Sequence, residues 1–278
     1  MLRHTFCHVP GIGAKTESRL WDSGLRSWQE VIRGQSLPLS TAKADLLRTC
    51  IAESAAHLDA DNPNYFYHRL ASSQHWRMFP EFRHAAAYLD IETTGLDDRS
   101  DYITAIGLYD GRSVRHYVHG ENLSDFKQDV ARYRLIVTYN GKTFDLPFLR
   151  SHFGLAMDQA HIDLRYVLAS LGYRGGLKGC ERRLGLDRKE MADVDGFFAV
   201  LLWRDFRRNG NRKALETLLA YNALDVVNLA TLMAMAYNMK IKDTPFGQSH
   251  GLPLPRPPKV PFHADAATIE RIKAQRGW

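Results

Sequence analysis

The sequence predicts an α/β fold in which a mixed β-sheet is flanked by helices and preceded by a small all-helical domain. From residue 85 onward, short strand-like runs are separated by turn-prone segments, and strands then alternate with helices. Adjacent strands followed by alternating strands and helices are typical of a mixed sheet covered by helices. We therefore divide the chain into a helical domain (1–84), an α/β domain (85–240) and a proline-rich basic C-terminal tail (241–278).

Helix signals recur along the N-terminal domain. Ser27 and Glu30 have the spacing of a capping box, in which the serine caps a helix start and the glutamate bonds back to it. Gly24, just before this box, suits the left-handed end of a preceding helix. A longer amphipathic helix is expected over 40–58, and another at Pro63, because proline favours the first helical turn.

The two types of element alternate along the α/β domain. Strands are expected over 85–91, 101–109, 113–120, 135–139 and 161–164. Helices are expected over 124–133, 145–153 and 212–239. The proline-rich tail is expected to be extended, with a short helix in its last dozen residues.

The composition narrows the class of protein. Apolar residues make up 45% of the chain and charged residues 24%, as in globular proteins. The net charge of +6 favours a polyanionic partner. The longest strongly apolar run, 197–203, is too short to span a bilayer, and the first residues lack the apolar stretch of a signal peptide, so we expect no membrane partner. Cys7, Cys50 and Cys180 form no CxxC pair, so we expect neither disulfides nor a cysteine zinc site, and a cytoplasmic location.

Basic residues form two clusters in the α/β domain. The sequence leaves two interpretations open, a nucleic-acid surface or simply solvated helix faces. The clusters consist of Arg174, Lys178, Arg182, Arg183, Arg188 and Lys189, and of Arg204, Arg207, Arg208, Arg212 and Lys213.

Acidic side chains occur at three separated places. Asp90 and Glu92 lie two residues apart on an expected strand, so both point to one face, about 6.5 Å apart. Two carboxylates on an otherwise apolar strand repel each other, and a divalent cation would remove that cost; an exposed strand end is the alternative. Asp145 falls at a helix start, where a simple cap is the alternative. Tyr221 and Asp225 share one helix face, a spacing also common on exposed helices.

Together these residues match the chemistry of a two-metal site. Asp90, Glu92, Asp145 and Asp225 could hold two Mg²⁺ or Mn²⁺ ions about 3.5–4 Å apart, the arrangement used for phosphodiester displacement. Four negative charges balance two dications, and these metals prefer hard oxygen ligands. The phenol of Tyr221 could orient the attacking water or help to deprotonate it.

Three segments carry a family resemblance: DIETTGL (90–96), YNGKTFDLPFL (139–149) and YNALD (221–225). In order and separation they resemble the three motifs of the DEDD 3′→5′ exonucleases, which belong to the ribonuclease H-like superfamily. The middle segment is particularly similar to the proofreading domains of family B DNA polymerases. The resemblance covers about 85–238 and implies a ribonuclease H-like fold with two divalent cations, Mg²⁺ or Mn²⁺, as cofactors.

The resemblance also implies a role for each acid. Asp90 matches the carboxylate that bridges both metals in that family. Glu92 and Asp225 match the ligands of the metal that activates water. Asp145 matches the acid that supports the second metal.

Other matching residues concern the subtype and the substrate. Tyr221 matches the tyrosine that defines the tyrosine subtype, since the histidine subtype would need a histidine where Ala220 stands. Leu96 resembles the residue that packs against the terminal base. Thr94 and Asn140 lie where relatives contact the 3′ end of the nucleic acid.

A glycine-rich segment, 10–13, precedes the first expected helix. It is not a P-loop, because Ala14 interrupts the contiguous Gly-Lys-Thr which that motif requires. It resembles the hairpin of a helix-hairpin-helix motif, in which Gly11 and Gly13 would let the backbone approach a phosphate and Lys15 would add a contact. A glycine turn with a purely structural role is the alternative.

Histidines and one further acid lie outside these motifs. His4 and His8 are four residues apart, but no acid or cysteine ligands lie near them in sequence, so both are expected at the surface. His161 and Asp163 flank a strand residue and are interpreted as structural or supporting residues.

The sequence therefore predicts a metal-dependent 3′→5′ exonuclease with an N-terminal module that binds nucleic acid. The helix-hairpin-helix resemblance favours DNA over RNA as the partner and a role in DNA repair or nucleic-acid processing. Two alternatives stay open. One is a non-catalytic nucleic-acid-binding adaptor that recruits a partner, and the other is a structure-selective endonuclease on the same fold.

Overall fold

The computed structural model describes residues 1–188, 191 and 194–275. Its N-terminal region is helical, as expected. The elements of this region are α1 (Ala14–Asp22), α2 (Trp28–Ile32), α3 (Thr41–Asp59), α4 (Pro63–Arg69) and α5 (Phe79–Phe82), with 3₁₀ turns at Leu2–His4, Ser72–Met78 and Arg83–Ala85.

Local sequence explains where these helices begin and end. The capping box of Ser27 and Glu30 is present at the start of α2. Gly24 follows α1 with a φ of +91°, a left-handed conformation that favours glycine. Helix α4 begins at Pro63, whose fixed φ suits a first helical position.

A five-stranded mixed sheet forms the centre of the described α/β region and confirms the predicted fold class. The strands are β1 (Ala86–Thr93), β2 (Ile103–Tyr109), β3 (Val114–Val118), β4 (Leu135–Thr138) and β5 (Ala160–Asp163). Their order is β3-β2-β1-β4-β5. Strand β1 is antiparallel to β2 and parallel to β4, and β4 is parallel to β5. The carboxyl ends of β1, β4 and β5 therefore lie at one edge of the sheet.

Helices follow and surround the strands. They are α6 (Phe126–Val130), α7 (Asp145–Phe153), α8 (Leu164–Ala169), α9 (Gly176–Arg183), α10 (Gly196–Asn209), α11 (Arg212–Lys242) and α12 (Ala266–Ala274). The helix expected over 124–133 is wrong in length, because only Phe126–Val130 is α-helical. Its end is set by the sheet, since the amide of Arg134 already donates to the carbonyl of Ala85 beside β1.

The two faces of the sheet have different cores. On β1, Leu89 and Ile91 pack in a cluster with Phe126 of α6 and Phe148 of α7. Tyr88, on the other face, belongs to a cluster that includes side chains of α11 and of the N-terminal helices. The N-terminal helices thus share one continuous hydrophobic core with the face of the sheet that α11 covers. The division at residue 84 stays a prediction.

Helix α11 is the main helix of that second face. By length and composition it is apolar enough to cross a membrane, but 78% of its most apolar window is buried inside the protein. Counting uninterrupted apolar runs overlooks this helix, because polar residues such as Asn222 and Asn228 interrupt the apolar sequence. The burial accounts for its composition, since its side chains form the core.

The C-terminal tail folds back along α11. The side-chain amide of Asn238 bonds both the amide and the carbonyl of Leu252, each at 2.8 Å. The amide of Asp265 donates to the Thr217 hydroxyl at 2.9 Å, and Ile269 of α12 is buried. The expected extended segment and terminal helix are both present, and residues 276–278 lie outside the described part.

Candidate active site

Three carboxylates converge where β1 meets α11. Asp90 and Glu92 come from the strand and Asp225 comes from the helix, and one ligand oxygen of each lies within 4.8 Å of the others. Because side chains two apart on a strand share a face, Asp90 and Glu92 both point towards α11. Glu92 and Asp225 are buried, and Asp90 is partly buried. This cluster could hold a divalent metal ion, since carboxylate oxygens are suitable ligands.

A glycine and an asparagine fix the position of Asp90. Asn222 Nδ2 donates to Asp90 Oδ2 at 2.8 Å and to the Asp90 carbonyl at 3.3 Å. Gly107 lies opposite Asp90 on β2, where a Cβ atom would come within 2.3 Å of Asn222 Oδ1. Only glycine therefore leaves room for the asparagine, and neither residue was identified from the sequence.

Asp145 approaches strand β1 from helix α7. It is the first residue of α7, and its Oδ1 accepts a hydrogen bond from the amide of Ile91 at 3.2 Å. Phe144 is the N-cap, so the interpretation of Asp145 as a simple cap is wrong. Its side chain is buried, and its charge raises the pKa of Asp90 and of Glu92. Asp145 is thus near enough to act on the strand acids, but it is not one of the three acids whose ligand oxygens lie within 4.8 Å of one another.

Burial raises the pKa of all four carboxyl groups. Burial is the largest cause that raises the pKa of Asp90 and Glu92, and repulsion from Asp225 is the next. Burial also raises the pKa of Asp145 to about 7 and that of Asp225 to about 6. The protein by itself therefore leaves much of the negative charge in this cluster uncompensated, as a cation site requires.

Arg188 forms ion pairs with both Asp225 and Glu181. Arg188 Nη2 lies 2.5 Å from Asp225 Oδ1, and Arg188 Nε donates to Glu181 Oε2 at 2.5 Å. Glu181 also accepts from Asn228 Nδ2 at 2.9 Å. The reading of Arg188 as part of a solvated basic surface is wrong, because it is buried between two carboxylates. A basic residue inside an acidic site has no distinctive sequence signal.

Tyr221 lies beside the acids, and two basic side chains lie over its ring. It is buried, and its ring centre lies 4.9 Å from Lys178 Nζ and 5.5 Å from Arg188 Cζ. Burial, followed by the charges of Asp225 and Glu92, raises the pKa of the phenol far above its ordinary value. The hydroxyl therefore keeps its proton and can donate a hydrogen bond.

The cluster forms the floor of a cavity of about 520 Å³. Its walls include Thr94, Leu96, Phe144 and Phe197. Leu96 is 85% exposed and Phe197 46% exposed, and both line this one cavity. The Thr94 hydroxyl donates to Asp101 at 2.9 Å and accepts from the Tyr102 amide at 3.1 Å.

Asn140 does not line this cavity. It lies in the left-handed region with a φ of +69° and lines a neighbouring cavity, together with Arg165. Asp163 holds this segment, because its carboxylate accepts from the amides of Asn140 at 2.7 Å and of Lys142 at 3.1 Å. His161 is also buried, with its Nε2 2.9 Å from the Thr138 hydroxyl.

In the N-terminal glycine segment Pro10, Gly11 and Gly13 are exposed, whereas Ile12 is buried in the hydrophobic core. Gly11 has a φ of +79°, Gly13 is the N-cap of α1, and Lys15 lies in its first turn. A 3₁₀ turn at Leu2–His4, rather than a full helix, precedes them. The backbone at this turn is open to solvent.

The two N-terminal histidines are not surface residues. His8 is buried against the rings of Trp28 and Phe66, and this burial lowers its pKa to about 3. His4 is partly buried, with its Nε2 3.1 Å from that of His250. The surface prediction is wrong because the aromatic core of the N-terminal helices closes over this segment.

The remaining basic residues have mixed surroundings. Arg204 lines the acidic cavity, whereas Arg212 forms an ion pair with Glu121 and Lys213 one with Asp265. Arg207, Arg208, Arg182 and Arg183 are exposed, and Lys189 lies outside the described residues. The second cluster is thus partly engaged in local ion pairs.

Comparison with solved structures gave similarities of low identity. A family B DNA polymerase from the hyperthermophilic archaeon Pyrobaculum calidifontis is 15% identical with a TM-score of 0.37; the match covers 56% of this chain and 29% of the polymerase. A nuclease in its apo form is 20% identical with a TM-score of 0.31, covering 60% of this chain and 88% of that one. Brucella melitensis NrnC bound to pGG is 15% identical with a TM-score of 0.30, covering 59% and 89%.

Sequence comparison gave a clearer result. A search of curated proteins found no match. The sequence model of the RNase_H superfamily matches residues 87–237, which include the four acids, Tyr221 and every strand from β2 to β5. This match covers more than half of the chain, and it agrees with the mixed sheet and with the acids at the edge of β1. The chain therefore belongs to the RNase H superfamily.

Proposed function

We propose that this chain is a metal-dependent 3′→5′ exonuclease of the tyrosine-type DEDD class. It hydrolyses phosphodiester bonds of nucleic acid, with DNA favoured, and releases nucleoside monophosphates. One observation carries the proposal: Asp90, Glu92 and Asp225 approach within 4.8 Å on the floor of a cavity, with Asp145 and Tyr221 beside them.

The four carboxylates would hold two divalent cations, Mg²⁺ or Mn²⁺. Asp90 would contact both ions, Glu92 and Asp225 one of them, and Asp145 the other. Such ions lower the pKa of water and stabilise the charge on the leaving oxygen. The raised carboxyl pKa values support this assignment, since the acids lack enough positive charge of their own.

Tyr221 would position the attacking water. Because its pKa is raised, the phenol is neutral at working pH and acts as a hydrogen-bond donor rather than as a base. Arg188, held by Glu181, fixes the carboxylate of Asp225 and limits the number of orientations it can adopt. These residues together would hold the water in line with the scissile bond.

The apolar wall of the cavity would hold the terminal nucleotide. Exposed Leu96 and Phe197 can pack against a base without reading its identity, since every base has an apolar face. Thr94 keeps the loop that carries Leu96 in place through its bonds to Asp101 and Tyr102. A site of this kind accepts a strand end whose base is unpaired.

The N-terminal glycine turn would add a phosphate contact outside the active site. Gly11 and Gly13 leave the backbone accessible, and Lys15 carries an exposed positive charge. We expect Lys15→Gln to reduce the slope of log affinity against log salt by about 0.7–0.9, the value for one phosphate contact. Lys43→Gln, an exposed lysine on α3, is the control, and an unchanged slope in both variants would exclude the turn as a binding element.

End-labelled oligonucleotides test the activity. DNA and RNA strands carrying either a 3′ or a 5′ label would be incubated with Mg²⁺, Mn²⁺ or EDTA. We expect nucleotides to be lost one by one from the 3′ end, only with metal, and faster from DNA. No metal-dependent degradation would indicate a binding adaptor, and cleavage of a circular single strand would indicate an endonuclease.

Substitution of the acids tests the mechanism. We expect Asp90→Ala and Asp225→Ala to abolish metal-dependent hydrolysis, because both remove ligands that cannot be replaced from nearby. Asp158→Ala, at an exposed aspartate, is the matched control and should keep full activity. Undiminished turnover in the Asp90 variant would refute the two-metal mechanism.

A further inference from the structure

A second open cavity, of about 620 Å³, lies next to the acidic one. Three tyrosines and two arginines dominate its lining. They are Tyr139, Tyr166, Tyr173, Arg165 and Arg174. None of these five residues is a carboxylate or a candidate metal ligand, so this cavity is chemically distinct from the acidic site.

The two cavities are contiguous. Tyr139 lines both of them. At the start of α9, Gly176 lines the second cavity, and Leu177, the next residue, lines the acidic cavity. A nucleic-acid strand whose end lies over the acids could therefore continue past Tyr139 into the second cavity.

Aromatic rings in this cavity are paired with cations. Tyr166 is 36% exposed, and its ring centre lies 5.8 Å from Lys142 Nζ. The ring of Tyr173 lies 4.8 Å from Arg183 Cζ. Arg165 and Arg174 are exposed. Rings on which bases stack, combined with cations that follow a phosphate backbone, are the features of a single-strand binding groove.

The segment that carries these residues is fixed by a buried acid. Asp163 accepts hydrogen bonds from the amides of Asn140, Lys142 and Arg165. The Arg165 guanidinium in turn donates to Asn140 Oδ1. Asp163 is 5% exposed, and its carboxylate oxygens are occupied by these backbone hydrogen bonds.

Two glycines also line this cavity. Gly175 and Gly176 both have positive φ, at 106° and 76°, and a Cβ on Gly176 would meet nothing within 4 Å. These glycines make the turn into α9 without placing bulk over the cavity. The space in front of the tyrosines is therefore open to a planar group.

We propose that this cavity binds the nucleotide adjacent to the 3′-terminal one, with its base stacked on Tyr166 and its phosphates beside Arg165 and Arg174. The inference rests on the proposed exonuclease function and deepens it, because a base that stacks on Tyr166 cannot be paired. The substrate is thus a 3′ end with at least two unpaired nucleotides.

Two substrates distinguish the contribution of this subsite to turnover from that of the acidic site. Thymidine 5′-(p-nitrophenyl phosphate) offers only a terminal nucleotide, whereas a single-stranded oligonucleotide fills both cavities. We expect Tyr166→Ala to lower kcat/KM for the oligonucleotide by about 10-fold or more, the effect of losing one stacked base, and to leave the small substrate unchanged. Tyr166→Phe retains the ring and should behave as the wild type.

Binding gives an independent measurement. Fluorescence anisotropy of a labelled oligonucleotide with the Asp90→Asn variant measures affinity without cleavage, and adding Tyr166→Ala should weaken it by a similar factor. If the wild type hydrolyses neither substrate, the proposed function fails and the anisotropy alone decides whether the cavity binds nucleic acid. Equal losses on both substrates, or no loss in either assay, would overturn the subsite.

Discussion

Two buried carboxylate sites in this protein have opposite electrostatic character. Glu17 on α1 is fully buried, yet it accepts hydrogen bonds from the Thr5 hydroxyl at 2.5 Å and the Phe6 amide at 2.7 Å. Its other oxygen lies 2.7 Å from Arg77 Nη2. Asp90 and Glu92 are instead placed against further carboxylates, and their pKa values are raised.

This difference distinguishes a carboxylate with a structural role, Glu17, from carboxylates with a functional role, Asp90 and Glu92. Glu17 is satisfied within the protein and joins the first residues to the helical core. The β1 acids repel each other and are partly compensated by Asn222 and Lys178, while Arg188 pairs with Asp225 of α11. Buried acids that are only partly compensated within the protein are suited to an external cation, so substitutions at the two sites should have opposite consequences.

Tyr221→Phe should give a large loss of turnover at the acidic site, second only to removal of an acid. We expect turnover of an oligonucleotide to fall about 10²- to 10⁴-fold, as for other groups that position a proton, with little change in the melting temperature. Single-turnover kinetics with saturating Mg²⁺ measures the loss. A fall of less than about twofold would assign the phenol to packing alone and leave water positioning to other residues.

Glu17→Gln should affect stability rather than chemistry. It leaves Arg77 buried without its counter-charge, and loss of one partner of a buried pair costs about 3–5 kcal/mol. Urea unfolding measures this loss, and turnover below the unfolding transition should stay near that of the wild type. The double variant Glu17→Gln, Arg77→Met should recover part of the stability; no recovery would show that the pair is not the cause.

Asp145→Asn should stabilise the metal-free protein increasingly as the pH rises from about 4, with the full effect above about pH 7. Burial raises the pKa of Asp145 from 3.8 to about 7, so the folded chain keeps a proton that the unfolded chain has lost. The wild type therefore loses stability as pH rises from 3.8 to about 7, and the variant lacks this loss.

Thermal unfolding in EDTA measures that difference. At pH 8 the variant should melt at least about 2 °C above the wild type, the shift that about 1 kcal/mol produces in a domain of this size. The gap should shrink towards pH 4. Asp158→Asn, at an exposed aspartate, should show no such trend, and a gap that is constant with pH would contradict the buried charge.

Much of the fold and part of the candidate site follow from local sequence. Period-two strands place Asp90 and Glu92 on one face, and helical spacing places Tyr221 and Asp225 together. Both are short-range relations. The positions of Arg188 and His8 could not be predicted in the same way, because a side chain in a basic run or near the terminus is buried only when distant elements close over it.

The sequence by itself determined the order of strands and helices, the capping signals and the four acids with their tyrosine. These depend on side-chain periodicity and on backbone preferences that act over a few residues. Only the tertiary structure decided that β1 and α11 bring three of those acids to one cavity with Asp145 of α7 nearby, that Asn222 fits over Gly107, and that a tyrosine-lined cavity lies alongside. Such contacts join residues far apart in the chain, so they depend on how complete elements pack.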